Sequence, residues 1–475
     1  MLLYPWEPLR EEGWPLRSKY FGDRAFYKRL LTVAGPILIQ NIITNFVNLL
    51  DNIMVGQIGT ESMSGVAIVN QLVFVFNLCV LGGIAGPGIF TAQFCGKGDD
   101  EGVRSSIRAK FYIVAAALVA FGAAFLLRGD ALISLFLHEG GDGLDLAATL
   151  VHGRAYLRII VPQMVPFALM QIYSSSLRET GETMLPMKAG VVAVVVNFVL
   201  NYILIFGKLG LPALGVTGAA IATLAARCVE AVVVIGWSHR HPERAPFVTG
   251  LYRTMRVPGR LLKQIAILGA PLLANEVLWS AGMTMLNQCY SVRGLTAVSA
   301  GNIASTVTTL FFCGYFAVGT AISILIGQYL GAGELERAVD EDRKLIFNAV
   351  LLSVAIAAAM ALAAPLIPRL YNTTDAVKQL ATAMLFINAV IMPIEAFGAS
   401  AYFTLRAGGK TFITFLFDSG FTWVFSVPLA FVLSRYTDIP IVTMFAVVQS
   451  LNLLKSFLGW LFLRSRTWVN NLVKD

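Results

Sequence analysis

The stretch GPILIQNIITNFVNLLDNIMVGQIG (residues 35–59) is long enough to be a membrane span, which needs roughly 20 apolar residues in a helix. It is mostly apolar, yet it carries Pro36, Asp51 and four asparagines. Pro36 removes one backbone hydrogen bond and is expected to let the helix bend. With Arg29 at the inner edge and Gly59 at the outer edge, Asp51 lies about 12 Å inside the membrane. A carboxylate at that depth is costly, so Asp51 is a functional candidate; the alternative is a structural Asp bonded to a neighbouring helix.

The composition of the chain is that of a polytopic membrane protein. Of 475 residues, 57% are hydrophobic and 13% are charged, whereas soluble domains average about 25% charged residues. None of the five cysteines has metal-ligand spacing, and the four histidines form no cluster with carboxylates. We therefore expect no structural metal, no cofactor and no enzyme active site. The net charge of +8 indicates membrane topology rather than nucleic-acid binding.

Apolar segments recur along the whole chain and predict an all-α integral membrane protein of twelve transmembrane helices. The predicted spans are residues 30–57, 63–93, 111–127, 150–177, 184–207, 213–237, 262–291, 297–330, 346–368, 377–405, 411–433 and 440–463.

The basic residues predict the orientation of these spans. With the N-terminus inside, the inner segments hold 26 Lys and Arg residues and the outer segments hold 8. Because cytoplasmic loops are enriched in Lys and Arg, both termini are predicted to be cytoplasmic. Residues 1–28 are polar and lack the apolar region of a signal peptide, so they are predicted to be a cytoplasmic lead-in.

The chain also repeats itself. A gap-free offset of 235 residues pairs Pro36 with Pro271, and it pairs six further residues, including Gly96 with Gly331. Two LR-x-x-G-x-T segments, beginning at Leu177 and Leu405, follow at an offset of 228. The repeat predicts two pseudo-symmetric six-helix bundles in parallel orientation: an N-lobe (29–238) and a C-lobe (261–475), joined by a cytoplasmic linker (239–260). Such repeats are typical of transporters that work by alternating access.

Few acidic residues lie inside the predicted spans. Glu230 has Arg227 one turn away and is predicted to form a structural pair. Asp418 is left open between a structural and a functional role. Glu276 and Glu395 both lie near the predicted midplane of the second half. They are either buried acids bonded to Asn and Tyr donors or, as we favour, a shared cation or proton site.

The first half offers a second candidate site. Asn197 and Asn201 are spaced i, i+4 and share one helix face at a depth close to that of Asp51. One carboxylate with amide oxygens suits Na⁺ or a proton. The alternative is that the two asparagines join neighbouring helices by hydrogen bonds.

Together these motifs resemble the multidrug and toxic compound extrusion (MATE) family, within the multidrug/oligosaccharidyl-lipid/polysaccharide flippase superfamily. The resemblance rests on LLDNIMVG around Asp51, NFVLNYILIFGKLGLPALGVTGAAIAT (197–223), APLLANEVLW (270–279) and the two LR-x-x-G-x-T segments. It covers essentially all twelve spans. Residues 1–28 have no counterpart in it.

The resemblance implies roles for individual residues. It implies that Asp51 is the family's first-helix aspartate of cation coupling, with polar partners at Asn197, Asn201 and Thr223. Glu395 matches an acidic position of the tenth helix. In one branch of the family, the acid of the seventh helix lies eight residues after the proline. In this chain Trp279 stands at that position, and Glu276 lies one turn earlier.

The expected function is that of a secondary antiporter in the bacterial inner membrane. It would act as a monomer and export amphipathic or cationic organic compounds in exchange for H⁺ or Na⁺. The alternative within the superfamily is a flippase for a lipid-linked saccharide or another lipid-like substrate. A membrane enzyme would need convergent catalytic groups, and a non-transporting sensor would leave the repeat and the intramembrane acids without a role. Small organic molecules and the lipid bilayer are the expected partners, and nucleic acid is not.

Overall fold

The computed structural model describes residues 19–56, 60–136, 146–371 and 373–474, without the side chains of residues 46–53, 55, 56, 60 and 61. These residues contain twelve long helices and no strand, so the predicted all-α architecture is confirmed. The helices are α1 (Arg24–Gly56), α2 (Thr60–Lys97), α3 (Asp100–Ser134), α4 (Leu146–Glu179), α5 (Met184–Phe206), α6 (Gly215–Arg240), α7 (Gly259–Ser291), α8 (Leu295–Gly331), α9 (Leu335–Ala363), α10 (Asp375–Ala407), α11 (Thr411–Tyr436) and α12 (Ile441–Arg464).

Length and composition allow most of these helices to cross a bilayer. Within the described part of the chain, eleven helices, α2 to α12, meet that requirement. Helix α1 has 33 residues and continues through Pro36, and α7 also has 33 residues and continues through Pro271. The longest pair, α2 and α8, has 38 and 37 residues. Helices six places apart therefore have similar lengths, as the 235-residue repeat predicts.

Helix α3 begins earlier than its apolar segment predicts. Its first turns are charged, but the charges have partners. The Arg108 guanidinium lies 2.5 Å from Glu101. The fully buried Lys110 ammonium donates to Glu179 Oε2 at 2.6 Å, to Ser175 Oγ at 2.9 Å and to Ser176 Oγ at 3.0 Å. A buried ammonium is tolerated when its three protons are all bonded, which lets the helix extend to Asp100.

The chain separates into two compact units that do not follow the midpoint of the sequence. Unit 1 holds the chain as far as Leu38, the end of α2 (Ala92–Asp100) and Ala274–Asp475. Unit 2 holds Ile39–Thr91 and Glu101–Leu273. The core of unit 1 is built from buried apolar side chains of α1, α8, α9 and α10, among them Leu30, Ile322 and Leu405. The two lobes drawn from the sequence stay a prediction.

Within unit 1, α2 and α8 approach each other at their last turns through two glycines. A Cβ at Gly96 would overlap the carbonyl of Gln328, and a Cβ at Gly331 would overlap the carbonyl of Gln93. These four residues are two of the pairs that the 235-residue offset relates. The crossing is thus reciprocal: each helix supplies the corresponding glycine of the repeat, and each glycine allows close contact with the backbone of the other helix.

The segment after α12 covers this crossing. Trp468 is buried, and its carbonyl lies where a Cβ of Gly408 would be. The Gln93 amide donates to the carbonyl of Asn470 at 3.3 Å and accepts from the Leu472 backbone N–H at 2.7 Å. A fully buried glutamine side chain thereby finds backbone partners in the C-terminal segment, which fixes that segment against α2.

We expect Gly331→Ala to lower the thermal unfolding midpoint, because overpacking of this kind costs about 1–3 kcal/mol. The matched control is Gly301→Ala on the same helix, where a Cβ meets nothing within 4 Å. There the change should be neutral or slightly stabilising, since alanine favours the helix. Tryptophan fluorescence of the purified protein in detergent measures both midpoints. Equal midpoints for the two variants would contradict the close crossing.

Candidate cation-binding sites

In unit 2, α5 and α6 bring three predicted polar residues together. Asn197 and Asn201 are both buried, and Asn201 Nδ2 donates to Asn197 Oδ1 at 3.1 Å. Asn197 Nδ2 in turn donates to Thr223 Oγ1 at 3.5 Å, and the Thr223 hydroxyl donates to the Ala219 carbonyl at 3.0 Å. The i, i+4 spacing on α5 places both amides on the face that meets α6. The result is a chain of amide and hydroxyl groups within the helix bundle.

Asp51 lies on the last turns of α1 (Arg24–Gly56), and its side chain is outside the described residues. Its predicted pairing with Asn197, Asn201 and Thr223 therefore stays a prediction. Pro36, the predicted bend position, lies inside α1.

Glu230 forms the structural pair that the sequence predicts. Its carboxylate is buried and accepts from the Arg227 guanidinium at 2.7 Å, one turn away on α6. Arg178 of the first LR motif also interacts electrostatically with Glu230, and it donates to Gln40 Oε1 at 3.4 Å. Glu230 thus neutralises cationic neighbours.

In unit 1, the second candidate site is organised by an ion pair between α11 and α12. The Lys455 ammonium lies 2.7 Å from Asp418 Oδ1. The two side chains are only 20% and 17% exposed. The other carboxylate oxygen, Asp418 Oδ2, accepts from Asn275 Nδ2 at 3.0 Å. Both oxygens of Asp418 are therefore bonded to donors.

Helix α11 departs from α-helical geometry where it carries Asp418. The segments Leu416–Gly420 and Thr422–Ser426 are π-helical. Ser419 donates its hydroxyl to the Asn275 carbonyl at 2.8 Å and its backbone N–H to Asn275 Oδ1 at 3.2 Å. Trp423 donates to the Leu278 carbonyl at 2.8 Å. π-Helical turns recur at functional sites, and here they coincide with the α7 contacts of the network.

Glu395 and Glu276 border the Asp418–Lys455 pair and have fewer partners. Glu395 Oε1 accepts from Asn452 Nδ2 at 2.9 Å, one turn before Lys455 on α12, and the Lys455 charge also acts on Glu395. Glu395 Oε2 is buried with no hydrogen-bond partner in the part of the chain that is described. Glu276 interacts electrostatically with Arg406 and Asp418. The two glutamates thus interact electrostatically with one charged network, and their predicted sharing of one ion stays a prediction.

The ionised groups of this network nearly balance. Three carboxylates, those of Glu276, Glu395 and Asp418, face the two cations Lys455 and Arg406. With every group ionised, the network carries one net negative charge. A low-dielectric interior strengthens the attraction of that charge for a cation.

Lys455 and Asn275 were not among the predicted site residues. The sequence carries a signal for Lys455: it lies nine residues before Arg464, about 14 Å into an apolar helix, where a charge needs a partner. A further polar pair, Asn388 with Gln449 at 2.9 Å, extends the α10–α12 contact two turns from Glu395. The identity of each partner depends on helix packing, which the sequence does not show.

The described residues contain no group of three His, Cys, Asp or Glu side chains arranged to hold a metal ion. Asp418 and Glu395 of the unit 1 network instead bond to ammonium and amide donors, and Glu276 interacts electrostatically with Arg406.

Comparison with known proteins identifies a family model and relatives that match most of the chain. The MatE family model matches residues 36–203 and 271–432, two blocks that begin at Pro36 and Pro271. The chain is 25% identical over 448 residues to a probable multidrug resistance protein NorM of Thermotoga maritima, covering 94% of each chain. It is 25% identical over 422 residues to the multidrug resistance protein MdtK of Pectobacterium atrosepticum, covering 87% of this chain and 88% of the relative.

Solved structures share the fold. A MOP superfamily transporter from Pyrococcus furiosus matches with a TM-score of 0.83 at 22% identity, covering 96% of this chain and 98% of that one. A MATE transporter of Vibrio cholerae matches with a TM-score of 0.83 at 19% identity, covering 94% and 98%. The family model spans well over half of the chain, in both halves of the repeat. The chain therefore belongs to the MatE family and is a membrane transporter of the MATE type rather than an enzyme.

Proposed function

We propose that this protein is a secondary antiporter that exports amphipathic or cationic organic compounds in exchange for H⁺ or Na⁺. The relatives named multidrug resistance proteins support the substrate class. We further propose that it acts as a monomer in a bacterial inner membrane with both termini cytoplasmic, as the 26-to-8 distribution of basic residues supports.

The observation that carries the proposal is the excess of acidic side chains in the unit 1 network, where three carboxylates face two cationic side chains. One of these carboxylates, Glu395, has a buried Oε2 with no hydrogen-bond partner among the described atoms. A cation or a proton at this oxygen would complete the carboxylate, and a cationic substrate would do the same. Acidic groups inside the spans favour cationic cargo over a lipid-linked saccharide, whose headgroup is commonly anionic.

Exchange follows when the coupling ion and the substrate exclude each other. Each ligand shifts the conformational equilibrium only by its difference in affinity between the two states. If either ligand alone neutralises the network, the empty charged state is the one that the membrane interior disfavours. The parallel repeat supports rocking-type alternating access as the accompanying motion.

Proteoliposomes test this function directly. We expect the purified protein to move tetraphenylphosphonium against its gradient when either a pH gradient or a Na⁺ gradient is imposed alone. In one-for-one exchange, a tenfold gradient of the coupling ion supplies about 1.4 kcal/mol, which suffices for roughly tenfold accumulation. Collapse of the effective gradient with an ionophore is the control. No transport under either gradient, together with scrambling of a fluorescent lipid, would contradict antiport and favour the flippase.

A further inference from the structure

In the unit 1 network, the Lys455 ammonium lies against a carboxylate that could otherwise attract a bound cation. Its ammonium contacts Asp418 at 2.7 Å and acts electrostatically on Glu395. Its helix also supplies Asn452, the amide donor of Glu395. One helix face thus brings a permanent positive charge and a neutral donor to two different carboxylates.

The hydrogen bonds separate the roles of the acids. Asp418 is saturated by Lys455 and Asn275, so the pair Asp418–Lys455 is neutral and complete. Arg406 offsets Glu276, with which it interacts electrostatically. Glu395 is the third carboxylate, and its buried Oε2 has no hydrogen-bond partner among the described residues. The network therefore has room for one positive charge.

We propose that Lys455 determines the valence of the ligand: its fixed ammonium restricts the site to one monovalent cation and disfavours dicationic compounds. This inference rests on the proposed function, since it concerns the selectivity of the same site. Without the Lys455 charge the network would carry two net negative charges, and a dication would gain most from that change.

The expected change in binding free energy scales with the charge of the ligand. The interaction of a ligand with a fixed charge is proportional to the charge of the ligand. If Lys455→Met tightens binding of a monocation by about tenfold, it should tighten binding of a dication by about a hundredfold. Asp418→Asn removes a negative charge instead, so both affinities should fall with the same scaling. A side chain that only supports the fold would change both affinities by the same factor.

The experiment measures equilibrium binding to the purified full-length protein at fixed ionic strength, with no ion gradient. The probes are tetraphenylphosphonium as the monocation and methyl viologen as the dication, and the readout is the ratio of their dissociation constants. We expect the ratio to shift about tenfold toward the dication in Lys455→Met and about tenfold away from it in Asp418→Asn. Lys455→Arg keeps the net charge of the network, and the double variant Asp418→Asn/Lys455→Met restores it. Both should therefore show the wild-type ratio.

Several outcomes overturn the proposal. An unchanged ratio of dissociation constants in Lys455→Met overturns it, and so does an unchanged ratio in Asp418→Asn. If one of the two variants fails to fold, the other still tests the proposal. Lack of binding of both probes by the wild type also overturns it. The control Lys378→Met removes a lysine near the start of α10 and should leave the ratio unchanged. Binding with the expected ratios but without gradient-driven transport would reject the antiport function and retain the selectivity role.

Discussion

Replacing Asp51 with asparagine is expected to abolish ion-driven efflux while the protein still folds, inserts and binds its substrate. The carboxylate lies about 12 Å inside the predicted outer edge of its span. Asparagine is nearly isosteric but permanently neutral, so it takes up no proton and binds Na⁺ more weakly. Because the variant no longer couples the two movements, a tenfold ion gradient that drives roughly tenfold accumulation in the wild type should drive none in Asp51→Asn.

Unit 2, which includes the segment that carries Asp51, also contains a hydrogen-bonded chain of polar side chains. Asn197, Asn201 and Thr223 form one hydrogen-bonded chain on α5 and α6. We would measure efflux in inverted vesicles, with the amount and monodispersity of each variant checked. Asp375→Asn is the matched control, because that carboxylate is 92% exposed at the start of α10. Full coupled transport by Asp51→Asn would show that Asp51 is structural, and the ion site in the first half would have to be abandoned.

The second large effect is expected at Glu395 and Glu276. Glu395→Gln should abolish gradient-driven efflux, because it removes the buried carboxylate whose Oε2 has no hydrogen-bond partner among the described residues and can take up a cation or a proton. Glu276→Gln should reduce efflux strongly as well and leave the Arg406 charge without its acidic neighbour. In both variants the network has no net negative charge, and we expect tetraphenylphosphonium to bind at least about tenfold more weakly.

The matched control for both is Glu336→Gln. Glu336 is 83% exposed and pairs with Arg466 on the surface, where such a pair contributes about 0–1 kcal/mol. Its variant should transport like the wild type. If Glu395→Gln and Glu276→Gln also transport normally, the shared-site hypothesis is wrong and the two glutamates serve only the packing of α7, α10 and α12.

Much of the architecture could be read from the sequence, because the bilayer imposes a length and a polarity on every span. Twelve apolar segments predicted twelve helices, and the described part of the chain contains them. The 235-residue offset also paired Gln93 with Gln328 and Gly96 with Gly331, which meet reciprocally where α2 crosses α8. An intramembrane carboxylate can also be identified from the sequence, because burying a charge in the bilayer costs free energy and such residues are rare in spans.

Tertiary packing alone decided which charges meet. The sequence showed Asp418 only as a single intramembrane acid, whereas packing placed Lys455 of α12 against one of its oxygens and Asn275 of α7 against the other. The π-helical turns of α11 and the burial of Lys110 among Ser175, Ser176 and Glu179 are equally invisible in hydropathy. Spacing within one helix follows from its 3.6-residue period, but contacts between helices depend on rotation and depth. The sequence therefore identified single buried acids, and the packing of the helices determined their partners and the charge of the site.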